Sequence, residues 1–144
     1  MDHQFWLAKM TFMLKKYNSL FEDLQKKWDI TQIEIDTLAF LANNPEYNHA
    51  QDIVNIRGIS KAHVSVAIEK LVKRGWLKRL CDPDNRRCNI LQITKDAKEV
   101  ILEIQNIQND YVTMAFNKMN LQEQQAFVTT INQIYQNLGG QKYD

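Results

Sequence analysis

AQDIVNIRGISKAHVSVAIEKLVKRG, residues 50–75, contains two short helical segments that meet at a Gly-Ile-Ser sequence. Gly58 can adopt a positive φ, which ends the first helix, and the Ser60 hydroxyl can cap the second. Ile59, between them, can fill the corner with an apolar side chain. Two short helices joined by a tight turn that contains glycine are typical of a helix-turn-helix. We therefore predict this motif here.

The second of these helices is amphipathic. Its apolar residues recur at i, i+4, i+7 and i+8, which places them on one face. They are Val64, Ile68, Leu71 and Val72. The opposite face carries Lys61, Ala62, Ser65, Val66 and Glu69. We expect the first face to be buried and the second to remain exposed.

A β-hairpin is predicted directly after the helix-turn-helix. Residues 76–80, WLKRL, and residues 89–93, NILQI, have the composition of short strands. The segment DPDNRR, residues 82–87, joins them and is rich in residues that favour turns. A hairpin in this position makes the motif a winged helix, with the hairpin as the wing.

Long helices are predicted on both flanks, because residues 1–43 and 84–138 contain neither glycine nor proline. The N-terminal flank has apolar residues at helical spacing, namely Trp6, Met10, Met13, Tyr17, Leu20 and Leu24, with a second stripe of Leu7, Leu14 and Phe21. We predict one helix of about 20 or more residues. Its wide apolar face belongs either to the core of a monomer or to a contact with both its own domain and a second chain.

Three further helix starts are indicated by capping residues. Thr31 and Glu34 have the spacing of a capping box, as do Asn120 and Glu123. Thr94 is predicted to cap the long helix that follows the hairpin.

The predicted fold class is mainly α with a small β-hairpin, a winged helix-turn-helix flanked by long dimerisation helices. The corresponding regions are an N-terminal dimerisation helix at 1–30, a DNA-binding domain at 31–95 and C-terminal dimerisation helices at 96–144.

Several classes of protein are excluded by length and composition. The chain has 144 residues, and no apolar run approaches the roughly 20 residues that span a bilayer. The first ten residues, MDHQFWLAKM, lack the zones of a signal peptide. We therefore expect a cytoplasmic protein without a membrane partner.

Metal sites and enzymatic chemistry are not indicated either. Cys81 and Cys88 are too few for an all-cysteine zinc site, and His3, His49 and His63 are too far apart for helical ligand pairs. The sequence has no nucleophile elbow and no glycine-rich phosphate loop. We expect no cofactor, no metal and no catalytic residues.

The formal net charge of +1 conceals a strong segregation of charge. Residues 57–87 contain nine basic and three acidic side chains, a net charge of +6, whereas the rest of the chain carries −5. A basic helix-turn-helix with a basic hairpin is the electrostatic pattern expected for double-stranded DNA. A solvated basic surface without a partner is the simpler alternative.

The sequence resembles the MarR family of bacterial transcription regulators. The resemblance rests on residues 52–65, on residues 70–80, on the wing segment DPDNRR and on residues 91–94, LQIT. It implies a homodimer that binds a pseudo-palindromic operator, with residues 60–74 as the recognition helix in the major groove and the wing tip over the minor groove. It also implies a repressor, often one that a small aromatic ligand releases from DNA.

The DNA-binding residues that we predict are Ser60, Lys61, His63, Ser65, Val66, Lys73, Arg74, Arg86 and Arg87. Ser60 can cap the recognition helix as well as contact phosphate, and His63 can equally be a plain surface residue. Many relatives carry arginine where this chain has Val66. This difference removes a guanine contact and leaves Ala62 and Val66 to touch thymine methyl groups, which favours A·T-rich half-sites.

The wing has its own predicted roles. Arg86 at the tip is the candidate for the minor groove, where a narrow A·T tract attracts a guanidinium group. Arg87 either contacts DNA or pairs with Asp82, which we assign a structural role at the hairpin base. Lys73, Arg74, Lys78 and Arg79 are expected near phosphates rather than bases.

Three alternatives remain open from the sequence. Cys81 and Cys88 bracket the wing loop and could form a disulfide switch, although two reduced thiols are favoured in a cytosolic protein. No ligand-binding residue is assigned, since Trp6, Met10, Met13, Tyr17 and Trp28 could line a pocket or build a dimer core. A winged-helix dimer that acts through protein contacts, with weak DNA binding, is the rival function.

Overall fold

The structure, a computed structural model, describes residues 3–141, with side chains from residue 5 onward. Seven α-helices, one two-stranded sheet and one short 3₁₀ turn follow one another in this described part of the chain. In order they are α1 (His3–Ser19), α2 (Glu22–Trp28), α3 (Gln32–Asn43), α4 (Ala50–Arg57), α5 (Lys61–Lys73), β1 (Leu77–Cys81), β2 (Asn89–Ile93), the 3₁₀ turn (Lys95–Ala97), α6 (Lys98–Ala115) and α7 (Leu121–Asn137). The predicted fold class, mainly α with a small hairpin, is confirmed.

The chain forms two compact units. The first extends to Asn109 and contains the helix-turn-helix and the hairpin, and the second begins at Asp110 within α6. The largest side chains that are fully buried all belong to the first unit: Phe21, Ile35, Leu38, Ile53, Leu71, Leu77 and Ile104. In the second unit Phe116 and Phe127 stack edge to face at 5.4 Å.

The N-terminal flank is not one continuous helix, so our prediction of a single helix through Leu24 is wrong. The helical hydrogen bonds are interrupted after Ser19, where the amides of Leu20 and Phe21 donate to carbonyls only three residues back. This turn lets Phe21 become completely buried, with 0% of its surface exposed, and α2 restarts immediately after it. The two amides keep hydrogen-bond partners in this turn, and burial of the aromatic ring favours it over a continuous helix.

Two of the three predicted caps are confirmed. Thr31 accepts from the Glu34 amide at 3.2 Å while the Glu34 carboxylate accepts from the Thr31 amide at 2.6 Å. Asn120 and Glu123 form the same reciprocal pair at the start of α7.

The prediction for Thr94 is wrong. Its side chain makes no cap, and a 3₁₀ turn precedes α6. The Thr94 hydroxyl instead donates to the Gly75 carbonyl at 2.6 Å, and its amide donates to the Trp76 carbonyl at 3.0 Å. Thr94 therefore fastens the end of the hairpin to the end of α5.

The hairpin is antiparallel and pairs Leu77 with Ile93 at one end and Cys81 with Asn89 at the other. The first strand begins and ends one residue later than predicted. On its other edge, β2 donates one further main-chain hydrogen bond, from the Leu91 amide to the Asn48 carbonyl at 2.8 Å. The hairpin is thus fixed both to its own partner strand and to the segment that precedes α4.

The two cysteines do not face each other across the hairpin, as we had considered for a disulfide switch. Cys81 is opposite Asn89, whereas Cys88 is opposite Asp82. The Asp82 amide donates to the Cys88 carbonyl at 3.2 Å. Successive pairs of a hairpin alternate between the two faces of the sheet. Both thiols are free and exposed.

Glu103 on α6 is the polar link to α2. Its carboxylate accepts from the Trp28 indole at 2.7 Å and pairs with the Lys27 ammonium group. The Lys27 hydrogen bond, followed by that of Trp28, holds the pKa of Glu103 below its ordinary range. A carboxylate with a lowered pKa stabilises the fold at neutral pH, and this contribution disappears as the pH falls through the folded-state pKa.

We expect Glu103→Gln to lower the free energy of unfolding by about 1 kcal/mol at pH 7. The amide retains an oxygen for Trp28 but loses the charge that attracts Lys27. Because wild-type Glu103 is itself protonated in strong acid, the difference should shrink as the pH falls below about 4.3, the ordinary pKa of glutamate. Urea unfolding at pH 7 and at a pH below about 4.3 measures this difference, with the exposed Glu46→Gln as the control. A difference of equal size at both pH values would contradict the assignment.

Two helices carry apolar side chains that are not covered. On α1 these are Phe5, Leu7, Met10, Phe12, Met13 and Leu14, and on α7 they are Leu121, Phe127, Val128 and Tyr135, followed by Leu138 directly after the helix. Within the described residues α7 buries none of its side chains. None of the helices in residues 3–141 has the length and apolar character needed to cross a membrane.

Candidate DNA-binding surface

The turn of the helix-turn-helix forms as its sequence predicts. Gly58 adopts φ 65°, in the left-handed region, and its amide donates to the Val54 carbonyl at 3.0 Å to close α4. Ile59 packs partly buried against the core. Ser60 then begins α5 by accepting a hydrogen bond from the His63 amide at 3.3 Å. These three residues set the angle at which α5 leaves the turn.

α5 has the two faces that we predicted. Val64, Ile68 and Leu71 are buried, and Val72 is partly buried. The opposite face carries five exposed residues, Lys61, Ala62, Ser65, Val66 and Glu69. Lys61, Ser65 and Val66 are among the DNA-binding residues that we predicted. Val66 is the larger of the two apolar residues on this face, the other being Ala62, and 54% of its surface is exposed. The exposed face of α5 is therefore cationic at its N-terminal end and contains a small apolar area.

His63 is held by the residue that caps its helix. The Ser60 Oγ and the His63 Nδ1 are 2.9 Å apart, within hydrogen-bond distance. The other ring nitrogen, Nε2, remains available at the N-terminal end of α5, where polar side chains reach phosphates and base edges.

A cavity of about 330 Å³ separates the N-terminal end of α5 from the hairpin and α4. Its lining includes Lys61, Ser65, Arg79 and Arg87, above an apolar floor that contains Ile68. The structure thus brings residues of the helix and of the wing onto one cationic surface. We call this the α5–wing surface, defined as the exposed face of α5 together with Arg79, Arg86 and Arg87.

The wing loop is shaped by hydrogen bonds around Asp82. The Asp84 amide donates to Asp82 Oδ1 at 2.9 Å, and the Asn85 amide donates to the Asp82 carbonyl at 3.3 Å. Further along, the Arg87 amide donates to Asn85 Oδ1 at 3.1 Å. Arg86 is exposed at the tip, and its side chain forms no ion pair or hydrogen bond with the residues that the structure describes.

Asp82 pairs with His49 and not with Arg87, the partner that we considered from the sequence. The residue is buried, and its Oδ2 lies 2.7 Å from His49 Nε2. Hydrogen bonds, first from the Asp84 amide and then from His49, lower the pKa of Asp82. Arg87 therefore remains on the α5–wing surface. His49 is hard to find from the sequence, because histidine is not a usual cap residue even though Asp52 follows it at capping-box spacing.

Arg74 is in a different place from the one we predicted. Its guanidinium donates to the Trp28 carbonyl and, at 2.6 Å, to the Asp29 carbonyl, and it stacks on the Trp76 ring at 4.5 Å. These carbonyls belong to the C-terminal end of α2, which Asp29 closes with φ 51°. Arg74 therefore stabilises a helix end and is occupied away from the α5–wing surface.

Lys73 is exposed and lies 3.7 Å from Glu69, one helical turn earlier. At 1.5 Å rise per residue it is about 18 Å along α5 from Lys61. Lys78 and Arg79 are exposed on β1. These three side chains extend the positive charge from the helix N-terminus towards the rest of the first unit.

No group of His, Cys, Asp and Glu side chains suitable for a metal ion occurs among the described residues. A helix-turn-helix followed by an antiparallel hairpin, with α5 and the wing on one cationic surface, defines a winged helix.

A sequence model of the MarR family matches residues 28–87, which extend from the end of α2 to the wing loop. The resemblance to this family is thereby confirmed over the segment that contains the helix-turn-helix and the wing. None of the curated proteins compared with the chain matches it by sequence.

Solved structures extend the similarity of fold to nearly the whole chain. The MarR protein from Peptoclostridium difficile has a TM-score of 0.80 at 21% identity, with 96% of this chain and 89% of that one covered. A MarR family transcriptional regulator from Listeria monocytogenes, complexed with a 26mer DNA, has a TM-score of 0.79 at 15% identity, with coverage of 96% and 97%. Bordetella bronchiseptica BpsR, whose DNA binding is regulated by 6-hydroxynicotinic acid, has a TM-score of 0.68 at 20% identity, with coverage of 88% and 96%. The chain has the fold of MarR transcriptional regulators.

Proposed function

We propose that the protein is a sequence-specific double-stranded DNA-binding transcriptional regulator that acts as a repressor. The observation that carries this proposal is the α5–wing surface. It combines two features. One is an exposed helix face of the size that fits a major groove, and the other is a hairpin tip whose Arg86 side chain forms no ion pair or hydrogen bond with the described residues. The Listeria monocytogenes regulator, which has the same fold, was solved with DNA bound.

The recognition helix is α5, and its proposed contacts fall into two groups. Ser60, Lys61 and His63 lie at the N-terminal end, where phosphates and base edges are both within reach. Ser65 and Val66 lie one turn further on, and the exposed Val66 side chain suits a thymine methyl group. Lys73 and Arg87 supply positive charge near the backbone, and Arg86 enters the minor groove. Arg74 is withdrawn from this set, because both of its terminal nitrogens, Nη1 and Nη2, are engaged at the end of α2.

The functional unit that we propose is a homodimer. Its contact surfaces are the apolar side chains that α1 and α7 leave exposed, since uncovered apolar surfaces of this extent are usual at protein interfaces. A twofold dimer binds a pseudo-palindromic operator, with half-sites about one helical turn, or 10 base pairs, apart. This assembly also explains why α7 buries nothing within the single chain.

A small ligand is the proposed signal that releases the repressor. Release of this kind is suggested by BpsR, whose DNA binding responds to 6-hydroxynicotinic acid. In the first unit, a cavity of about 110 Å³ is lined by Tyr17 of α1, Asn43 of α3 and Gln108 of α6. Their side chains form a chain of hydrogen bonds of 3.0 Å each, Asn43 to Gln108 and Gln108 to Tyr17. A ligand that replaces these bonds would loosen the attachment of α1 and α6 to the winged helix.

The test is selection of DNA from random sequence by the wild-type protein, followed by affinity measurements on the selected duplex. We expect a pseudo-palindrome with A·T-rich half-sites. Arg86→Ala should weaken binding about tenfold or more, because an arginine in a narrow minor groove is favoured by the enhanced negative potential there. Lys98→Ala, which removes an exposed positive charge outside the α5–wing surface, is the matched control and should change affinity little.

Selection that recovers no specific sequence would overturn this proposal and favour the rival, a winged-helix dimer that acts through protein contacts. Selection of a single, non-repeated half-site would retain DNA binding but remove the dimer.

A further inference from the structure

His49 occupies a position between carboxylates of two different elements. Its Nε2 lies 2.7 Å from Asp82 Oδ2 at the base of the wing, and its Nδ1 lies 3.5 Å from Asp52 Oδ2 in the first turn of α4. Its amide also donates to Asp52 Oδ2 at 3.0 Å. A carboxylate can only accept, so the 2.7 Å bond requires the hydrogen on Nε2. The imidazole therefore connects the start of the helix-turn-helix to the wing.

The main chain beside His49 makes a second attachment. The Asn48 carbonyl accepts from the Leu91 amide at 2.8 Å, on the edge of β2 that does not face β1. The Asn48 carbonyl thus attaches β2 to the domain, whereas the His49 side chain attaches the base of the wing loop. Of these two bonds, only the one to Asp82 reaches the segment that carries the wing tip.

Asp82 uses its two carboxylate oxygens in opposite directions. Oδ1 accepts from the Asp84 amide inside the loop, and Oδ2 faces His49 outside it. The orientation of this buried carboxylate therefore sets both the first turn of the loop and its attachment to the domain. Arg86 follows four residues later and has no other support from its side chain within the described part of the protein.

We propose that His49 is a positioning residue for the wing, which acts on DNA affinity through Asp82 and Arg86 without touching DNA. This inference rests on the proposed function as a DNA-binding protein. It assigns His49 a role in the affinity for the operator, separate from any contribution to folding. Without the Nε2 bond the Asp82 carboxylate keeps only its bond from the Asp84 amide, the loop is held from one side only, and Arg86 spends less of its time at the minor groove.

The test is a double-mutant cycle between His49 and Arg86, with affinity for the selected duplex measured by fluorescence anisotropy. We expect His49→Ala to weaken binding about five- to tenfold in the wild-type background but less than about twofold in Arg86→Ala, since residues that act through each other are not additive. Equal losses in both backgrounds would overturn the proposal, because a general loss of folded protein affects both alike.

Two amide variants test whether DNA affinity depends on the position of the hydrogen-bond donor or only on the polarity of the side chain and the stability of the fold. The Gln side-chain nitrogen reaches approximately as far as imidazole Nε2, so His49→Gln should retain the Asp82 bond and near wild-type affinity. The shorter His49→Asn side chain does not reach, and should behave like His49→Ala. Equal affinities for the Gln and Asn variants would overturn the inference. A wild-type protein that binds no specific DNA would overturn this inference and the proposed function together, whereas specific binding with additive losses would overturn this inference alone.

Discussion

Raising the salt concentration from 50 to 200 mM weakens the complex with operator DNA by a factor of about 10³–10⁵, if the dimer neutralises roughly six to ten phosphates. The reason is the release of counterions from DNA, which becomes less favourable as the salt concentration rises. The side chains available per chain are those of the α5–wing surface, Lys61, Lys73, Arg79, Arg86 and Arg87, together with Lys78 on the other face of β1. The logarithm of the association constant should fall with the logarithm of salt concentration at a slope of roughly −5 to −9.

Titrations at four or five salt concentrations measure this slope, and variants assign it to residues. Lys61→Ala should make the slope shallower by about 2, since one contact of about 0.9 is lost in each subunit. Lys98→Ala should leave it unchanged. A slope near zero for the wild-type protein would show that phosphate contacts do not provide the affinity.

Leu71→Ala lowers the free energy of unfolding by about 2–5 kcal/mol. Leu71 is on the buried face of α5 with 0% of its surface exposed, so its removal leaves a cavity between α5 and the core. An effect of this size is a large part of the stability of an ordinary domain, which is about 5–15 kcal/mol. Urea unfolding of the variant and the wild type provides the measurement.

Val66→Ala is the matched control on the same helix. Because Val66 is exposed, its truncation should change the free energy of unfolding by less than about 0.5 kcal/mol. The two variants should therefore separate folding from DNA binding, with stability lost in Leu71→Ala and affinity for A·T-rich half-sites reduced in Val66→Ala. A Leu71→Ala protein as stable as the wild type would contradict the buried position of that side chain.

The parts of the fold that could be predicted from sequence are those that depend on neighbouring residues. The turn at Gly58, the cap at Ser60 and the buried face of α5 each follow from spacings of a few residues. The interruption before Phe21 does not, because the apolar period continues unbroken from Tyr17 to Leu24. Only the completed core shows that Phe21 is better buried at a turn than exposed on a continuous helix.

The candidate site shows the same limit. The polar face of α5 and the composition of the wing loop were visible in the sequence. The partners of Asp82 and Arg74 were not, because His49 lies 33 residues from Asp82, and Trp28 lies 46 residues from Arg74. For Asp82 the sequence offered a nearby basic residue, Arg87, and the structure provides a distant one.

The attachment of Arg74 determines how movement can pass through the first unit. One guanidinium group spans two successive carbonyls at the end of α2, and the Trp76 ring beneath it packs edge to face on Trp28 at 5.6 Å. These contacts attach the end of α2 to the end of α5. The N-terminal end of α5 lies about 18 Å along the helix from this attachment, so a rotation of α5 about the attachment would displace the proposed DNA-binding end more than any other part of the helix.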